Sequence, residues 1–321
     1  MNTFLYILLN SIMPIFIIIV LGFLLGKNFE LNIFTLSRIV VYLLVPAFIF
    51  ENIFTANLNF NMVKILLFSV VYLVSNYILA KLISKMLKYD ARLSDAFANS
   101  IMFNNIGNIG LPIITLVFST APFIVGEKTP YLNDALAALV VIMIFNNVTS
   151  STIGFYIGGR TTTMSFKKSI INTLKLPAIH AITIALIVKA SNYDITLTPI
   201  WSALILLKNG LVAIALITMG VQLAKIKFDF KDVNVYISSF IRLIIGPILA
   251  MLFIYIFGFK GVGAQTILIA YSVPIGLTTA LVAIEYDNNQ NYAVQSIVAS
   301  TLLSMISLPF VIYIARMLYP V

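Results

Sequence analysis

Apolar runs of about 20 residues or more alternate along the chain with polar connections of only a few residues, a rhythm that predicts membrane-spanning helices. The runs lie at 3–25, 31–54, 62–84, 92–118, 132–157, 169–190, 198–224, 233–257, 261–286 and 289–318. Ten spans bring both ends of the chain to one side. Half of ten is odd, so a second half that repeats the first is inverted in the membrane, a common transporter architecture. The expected fold class is therefore all-α integral membrane: ten transmembrane helices in two inverted five-helix repeats, residues 1–160 and 161–321, with broken helices 4 and 9 crossing each other.

The breaks are read from punctuation inside two apolar runs. Span 4 carries "FNNIGNIGLPI" at 103–113, and span 9 carries "AYSVPIGLTTALVAIEY" at 270–286. Each is the fourth helix of its half, and Gly/Pro interruptions at corresponding places point to a transport site near the midplane. Pro112 and Pro274 remove a backbone donor and obstruct a carbonyl one turn back, while Gly107, Gly110 and Gly276 relax the chain. Lipid cannot satisfy the freed groups, so the breaks are buried in protein or face water. If the spans cross there, two half-helix N-termini converge, each with about half a positive charge and unpaired N–H groups, which suits a carboxylate. The substrate-binding candidates are Asn104, Asn105, Gly107, Asn108, Pro112, Pro274, Ile275 and Gly276. Packing glycines and capping asparagines are the alternative reading.

Composition agrees with the hydropathy pattern. The chain is 61% hydrophobic and 10% charged over 321 residues, whereas soluble domains carry about 25% charged residues. With no cysteine, disulfides and thiolate metal sites are excluded. The net charge of +9 is explained by topology rather than nucleic acid. With the N-terminus outside, inner loops hold Lys27, Arg38, Lys81, Lys85, Lys88, Arg92, Arg160, Lys167, Lys168, Lys175, Lys225, Lys227 and Lys231. Outer ones hold Lys64, Lys128, Lys189, Lys260 and Arg316. This excess of inner basic residues predicts both termini outside. The first apolar run, Phe4 to Leu25, lacks the basic leader of a signal peptide and is read as a span.

Polar side chains inside the spans are the remaining candidates. Lys208, about ten residues into span 7, costs at least about 2.5–3.5 kcal/mol at that depth and needs compensation. It either attracts an anionic cargo or pairs with a carboxylate such as Glu51. Glu51 is otherwise a proton carrier or an interfacial charge. Arg242, in span 8, is expected in a structural ion pair or polar pocket, against direct cargo contact. Asn146, Asn147, Gln295, Ser296 and Glu51 are candidate ion-binding residues for a coupling Na+ or H+. The runs around them in spans 5 and 10 equally suit helix association. His180 stands alone, so no metal site is expected. No catalytic grouping or phosphate-binding loop is found, so an enzyme is not expected and no cofactor is implied beyond the coupling ion.

At Asn105, Gly107, Gly110, Leu111 and Pro112 the chain resembles the auxin efflux carrier family, which includes plant PIN-formed auxin exporters and bacterial malate-permease-type transporters. "VPIGLTTALVAIEY" and "AVQSIVASTLLSMISLPFVIYI" are similar to its ninth and tenth helices, "LLVPAFIF" to its second and "ITMGVQLA" to its seventh. The resemblance implies a scaffold from spans 1, 2, 6 and 7 and a transport domain from spans 3–5 and 8–10. It also implies an elevator-like movement and a fold like that of the bile acid sodium symporters. Two departures stand out: Asn104 occupies the place of a proline in plant members, and Ile275 follows Pro274 where a polar side chain could sit. The expected function is secondary active or facilitative transport of small organic anions, malate-like or auxin-like, bound where helices 4 and 9 cross. The alternatives are a sodium-coupled organic anion symporter and a non-transporting membrane sensor. A homodimer through the scaffold and location in the cell membrane are further expectations.

Overall fold

A computed structural model describes residues 3–55, 60–160, 167, 170–171, 174–191, 193–226, 229 and 231–321. Lys168 and Lys227, used above to orient the chain, lie outside the described residues. The apolar runs fold as helices because a backbone in lipid must satisfy its own polar groups. They are α1 (Phe4–Asn28), α2 (Ile33–Thr55), α3 (Met62–Met86), α4 (Ala91–Met102), α5 (Ile106–Phe118) and α6 (Leu132–Gly159). There follow α7 (Pro177–Ala190), α8 (Pro199–Lys225), α9 (Val233–Phe257), α10 (Gly261–Tyr271), α11 (Thr278–Glu285) and α12 (Gln290–Leu318). Seven of these, α1, α2, α3, α6, α8, α9 and α12, are long and apolar enough to cross a membrane. Among the described residues no β-strand forms; strand-like pairing is confined to isolated bridges.

Local signals set the helix ends. Asn32 Oδ1 accepts the Thr35 N–H at 3.1 Å before α2, and Asp90 Oδ1 accepts the Leu93 N–H at 2.8 Å before α4. Both are side-chain caps on amides that the helix cannot satisfy itself. Helices α7 and α8 begin on Pro177 and Pro199, where a missing N–H is harmless. Gly258, at φ 64°, ends α9 in the left-handed region.

The packing falls into two sets of neighbours. Helices α1, α2, α7 and α8 pack on one another, while α3, α4, α6, α9, α10 and α12 form a second mutually packed set. The α1–α8 pair meets backbone on backbone. A Cβ at Gly220 would lie 2.1 Å from the Ile19 carbonyl oxygen, and one at Gly22 would lie 2.4 Å from that of Ile217. Small residues allow such approach, and close packing is what holds membrane helices together. The core is apolar, but at many positions polar burial and apolar exposure are inverted relative to a water-soluble domain. Ile17, Leu21, Val74, Ile78, Ile248 and Leu252 are exposed, whereas Asp95, Asn99, Ser100, Ser296 and Arg242 are buried.

Helix α4 fits this inversion. Ser94 through Met102 are all buried, so this segment is enclosed by protein and its polar residues are tolerated.

Candidate functional site

Predicted spans 4 and 9 are each broken. Helix α4 stops at Met102 and α5 starts at Ile106; α10 stops at Tyr271 and α11 starts at Thr278. The two breaks lie against each other and exchange backbone hydrogen bonds. The Asn105 N–H donates to Pro274 O at 2.9 Å, and the Gly276 N–H donates to Phe103 O at 3.0 Å. Asn104 and Ile275 thereby form an isolated antiparallel bridge. This answers where the freed polar groups go: each break serves as the other's partner. Gly276 is needed for the approach, because a Cβ there would lie 2.9 Å from Asn104 O.

Side chains from four helices complete the crossing. Asn146 of α6 acts as a short piece of backbone: its Oδ1 accepts the Asn104 N–H at 3.3 Å and its Nδ2 donates to Asn104 O at 3.1 Å. Ser300 of α12 accepts the Ile275 N–H at 3.2 Å. The Asn104 side chain donates to Ala270 O at 3.2 Å, leaving its Oδ1 buried without a partner. From α9, Arg242 donates to Ile101 O at 2.9 Å, Tyr271 O at 2.8 Å and Val273 O at 3.3 Å. Asn105 touches α8, its Nδ2 lying 4.0 Å from Met219 Sδ, a weak contact.

The opposite side of the crossing is less committed. Gly107, Asn108, Asn147, Leu277 and Thr278 are half-buried, and nothing lies within 4 Å of where a Gly107 Cβ would be. Here α5 and α11 begin; the Ile109 and Gly110 N–H groups donate to Asn105 O, and those of Thr279 and Ala280 to Gly276 O and Leu277 O, while the amides ahead of them have no acceptor within their own helix. Two N-terminal ends with about half a positive charge each form a field that favours an anion.

Pro112 is the clearest departure from expectation. The break is at 103–105, whereas Pro112 sits inside the resumed helix, after a wider π-type turn at Ile106–Gly110. Such a turn redistributes the hydrogen bonds a proline would disrupt, so Pro112 does not open the backbone. Pro274 does lie within its break.

Lys208 is not at the crossing. Its Nζ lies 2.8 Å from Glu51 Oε1, and it precedes Met219 by eleven positions on α8, about 16 Å along a helix. Four of the five candidate ion ligands have separate partners. Asn146 holds Asn104, Gln295 accepts the Asp229 N–H at 3.0 Å, Ser296 accepts from Ser238 at 3.3 Å, and Glu51 holds Lys208. Of that set Asn146 reaches the paired breaks directly, through its two hydrogen bonds to Asn104. His180 is exposed and bonds within its own helix, Nδ1 to Leu176 O at 3.1 Å. Among the described residues no group of three or more His, Asp or Glu is gathered as metal ligands. An open groove of 680 Å³ between α9 and α12, lined mostly by apolar residues such as Phe240, Leu243, Ile248, Leu303 and Phe310, has no charged side chain in its lining.

Sequence reasoning missed Asp95. Fully buried on α4, it accepts from Lys81 at 2.6 Å and from Arg160 at 2.6 and 2.7 Å. The available signal was an acidic residue inside a run that had to enter the membrane.

Comparison with known proteins agrees on the general class. The family described as "Membrane transport protein" matches residues 7–312. An uncharacterized transporter of Methanothermobacter thermautotrophicus is 20% identical over 309 residues, spanning 94% of this chain and 96% of that protein.

Proposed function

The chain belongs to the membrane transport protein family, the auxin efflux carrier-like group, and from that premise we propose that it is a secondary transporter of small organic anions. Its place in a membrane, crossed several times, follows from the family and the seven apolar helices. In this reading the cargo carboxylate binds at the N-terminal ends of α5 and α11. The set containing α3–α6 and α9–α12 then moves against α1, α2, α7 and α8 as an elevator. The two sets are built from inverted five-helix halves, with both termini outside the cell membrane.

The observation that carries this reading is the reciprocal backbone pairing of Asn105 with Pro274 and Gly276 with Phe103. It joins the segments that lead into both half-helix N-termini, next to the half-buried Gly107, Asn108, Leu277 and Thr278. The Asn104 Oδ1, buried without a donor, leaves acceptor capacity at the same crossing, as a hydroxy acid would use.

Counterflow of labelled malate in proteoliposomes tests the proposal, with saturable exchange as the expected result. Asn105→Ala should reduce that exchange at least about tenfold, while costing less than about 1 kcal/mol of stability because its one polar contact is weak. Absence of exchange across a panel of mono- and dicarboxylates would overturn the proposal. Loss of folded yield in Asn105→Ala would make Asn105 a packing residue.

A further inference from the structure

The guanidinium of Arg242 lies where two other helix ends meet. Helix α4 stops at Met102 and α10 at Tyr271. Arg242 bonds Ile101 O in the last turn of the first and Tyr271 O at the end of the second, with Val273 O just beyond. The last carbonyls of a helix have no intrahelical donor, and each C-terminus carries about half a negative charge. Two such ends together carry about one negative charge, which one guanidinium matches.

Among the described residues no carboxylate pairs with it. Arg242 is 0% exposed, and among the described residues it has no ion pair; the salt bridges there join Lys81 and Arg160 to Asp95 and Lys208 to Glu51. It lies nine residues after Val233, the first residue of α9, about 14 Å into a hydrocarbon layer of about 30 Å. A charge at that depth without a counter-charge is strongly disfavoured, so its balance must come from the carbonyls it touches. The Tyr72 hydroxyl also donates to Tyr271 O, at 3.3 Å, which spends a remaining lone pair of that oxygen.

We propose that the carbonyls of Ile101, Tyr271 and Val273 form a cation site that the chain fills with its own Arg242. Arg242 is a positioning residue: it neutralises the C-terminal ends of α4 and α10 and holds the two breaks in register. The positive ends of α5 and α11 are then the uncompensated field at the crossing. Emptied of its side chain, the same site takes a small cation with planar N–H donors. The inference concerns the carbonyl side of the crossing and holds whether or not the chain moves a carboxylate.

The test is chemical rescue of Arg242→Ala, purified in detergent with guanidinium present and then exchanged into buffer without it. Removal should lower the melting temperature by about 10 °C or more, in proportion to the uncompensated charge. Millimolar guanidinium chloride should restore at least half of the loss, and urea, a neutral molecule of the same shape, should restore none. Equal rescue by urea, or rescue by neither, would overturn the proposal. Should Arg242→Ala fail to accumulate, Arg242→Lys is compared with Arg242→Met. Lys is expected to retain clearly more folded protein, and equal loss would make Arg242 a space-filling residue. Both readouts are independent of flux, so failed rescue leaves malate counterflow to be judged by itself.

Discussion

Two pairs of helical elements in this molecule bring backbones into direct contact, and they do so by opposite means. Helices α1 and α8 remain unbroken and meet through glycine: Gly22 faces Ile217, Gly220 faces Ile19, and Gly26 faces Val221 and Ala224. Their backbone polar groups are consumed by their own helices, so the contact itself offers a ligand no free backbone group. At the crossing of α4–α5 with α10–α11 the helices stop, and backbone bonds run from one break to the other. That leaves helix ends exposed to the interior, negative on one side and positive on the other. The first contact is a weld and the second is a site; what separates them is whether the backbone's hydrogen bonds remain within the helix.

The weld is most vulnerable at Gly220. Even Ala would place a Cβ 2.1 Å from Ile19 O and 2.6 Å from the Phe23 nitrogen, backbone atoms that no rotamer change can move. Overpacking of that kind costs about 3 kcal/mol or more where nothing can yield. Gly220→Ala is expected to lose most of its monodisperse yield in detergent. A variant with normal yield and melting temperature would show that α1 and α8 can slide apart, and the weld would be no more rigid than the site.

Asn146 provides the corresponding test at the crossing. Its side chain occupies both the N–H and the C=O of Asn104, and Ala would leave two backbone groups buried without partners. Each such group costs about 1–3 kcal/mol, so Asn146→Ala should be destabilised by about 2–6 kcal/mol in thermal or denaturant unfolding. Asn146→Asp keeps only the acceptor and should fall between Ala and the native protein. A loss of activity in Asn146→Ala with unchanged stability would instead move Asn146 from support of the backbone to contact with cargo.

The difference between weld and site also governs what was legible in the sequence. Apolar runs reveal helices because lipid leaves a backbone no other choice, and the breaks showed because glycine, proline and asparagine cluster there. The glycines of the α1–α8 contact carried no comparable signal, since a lone Gly22 in an apolar run looks the same whether it faces lipid or another backbone. Pro112 shows the limit from the other direction. It is the strongest breaker in "FNNIGNIGLPI", yet the chain opens at Phe103–Asn105, where the bonds to Pro274 and Gly276 come from a segment about 170 residues away. Arg242 could be seen to need compensation, but that its compensation is three carbonyls from α4, α10 and the break after α10 is a fact of packing. Asp95 was hidden by the same circumstance: its partners Lys81 and Arg160 come from the end of α3 and from just past α6.

The smallest predicted effect sharpens the contrast between two charges inside the spans. Lys208, on the welded side, is balanced in the ordinary way by a carboxylate, with side chains 23% and 11% exposed in the Lys208–Glu51 pair. Arg242 is balanced by helix ends. The two members of the former pair bond within one contact, so a double-mutant cycle of Lys208→Met with Glu51→Gln is expected to give a coupling of about 1 kcal/mol. Lys208→Met alone leaves Glu51 unmatched and should be less stable than the double variant. Because the pair sits about 16 Å along α8 from Met219, neither single change should alter half-saturation for malate, whereas Asn105→Ala should alter flux. Weaker malate binding in Lys208→Met, with stability unchanged, would place that ammonium on the cargo's route and join the two regions that the packing holds apart.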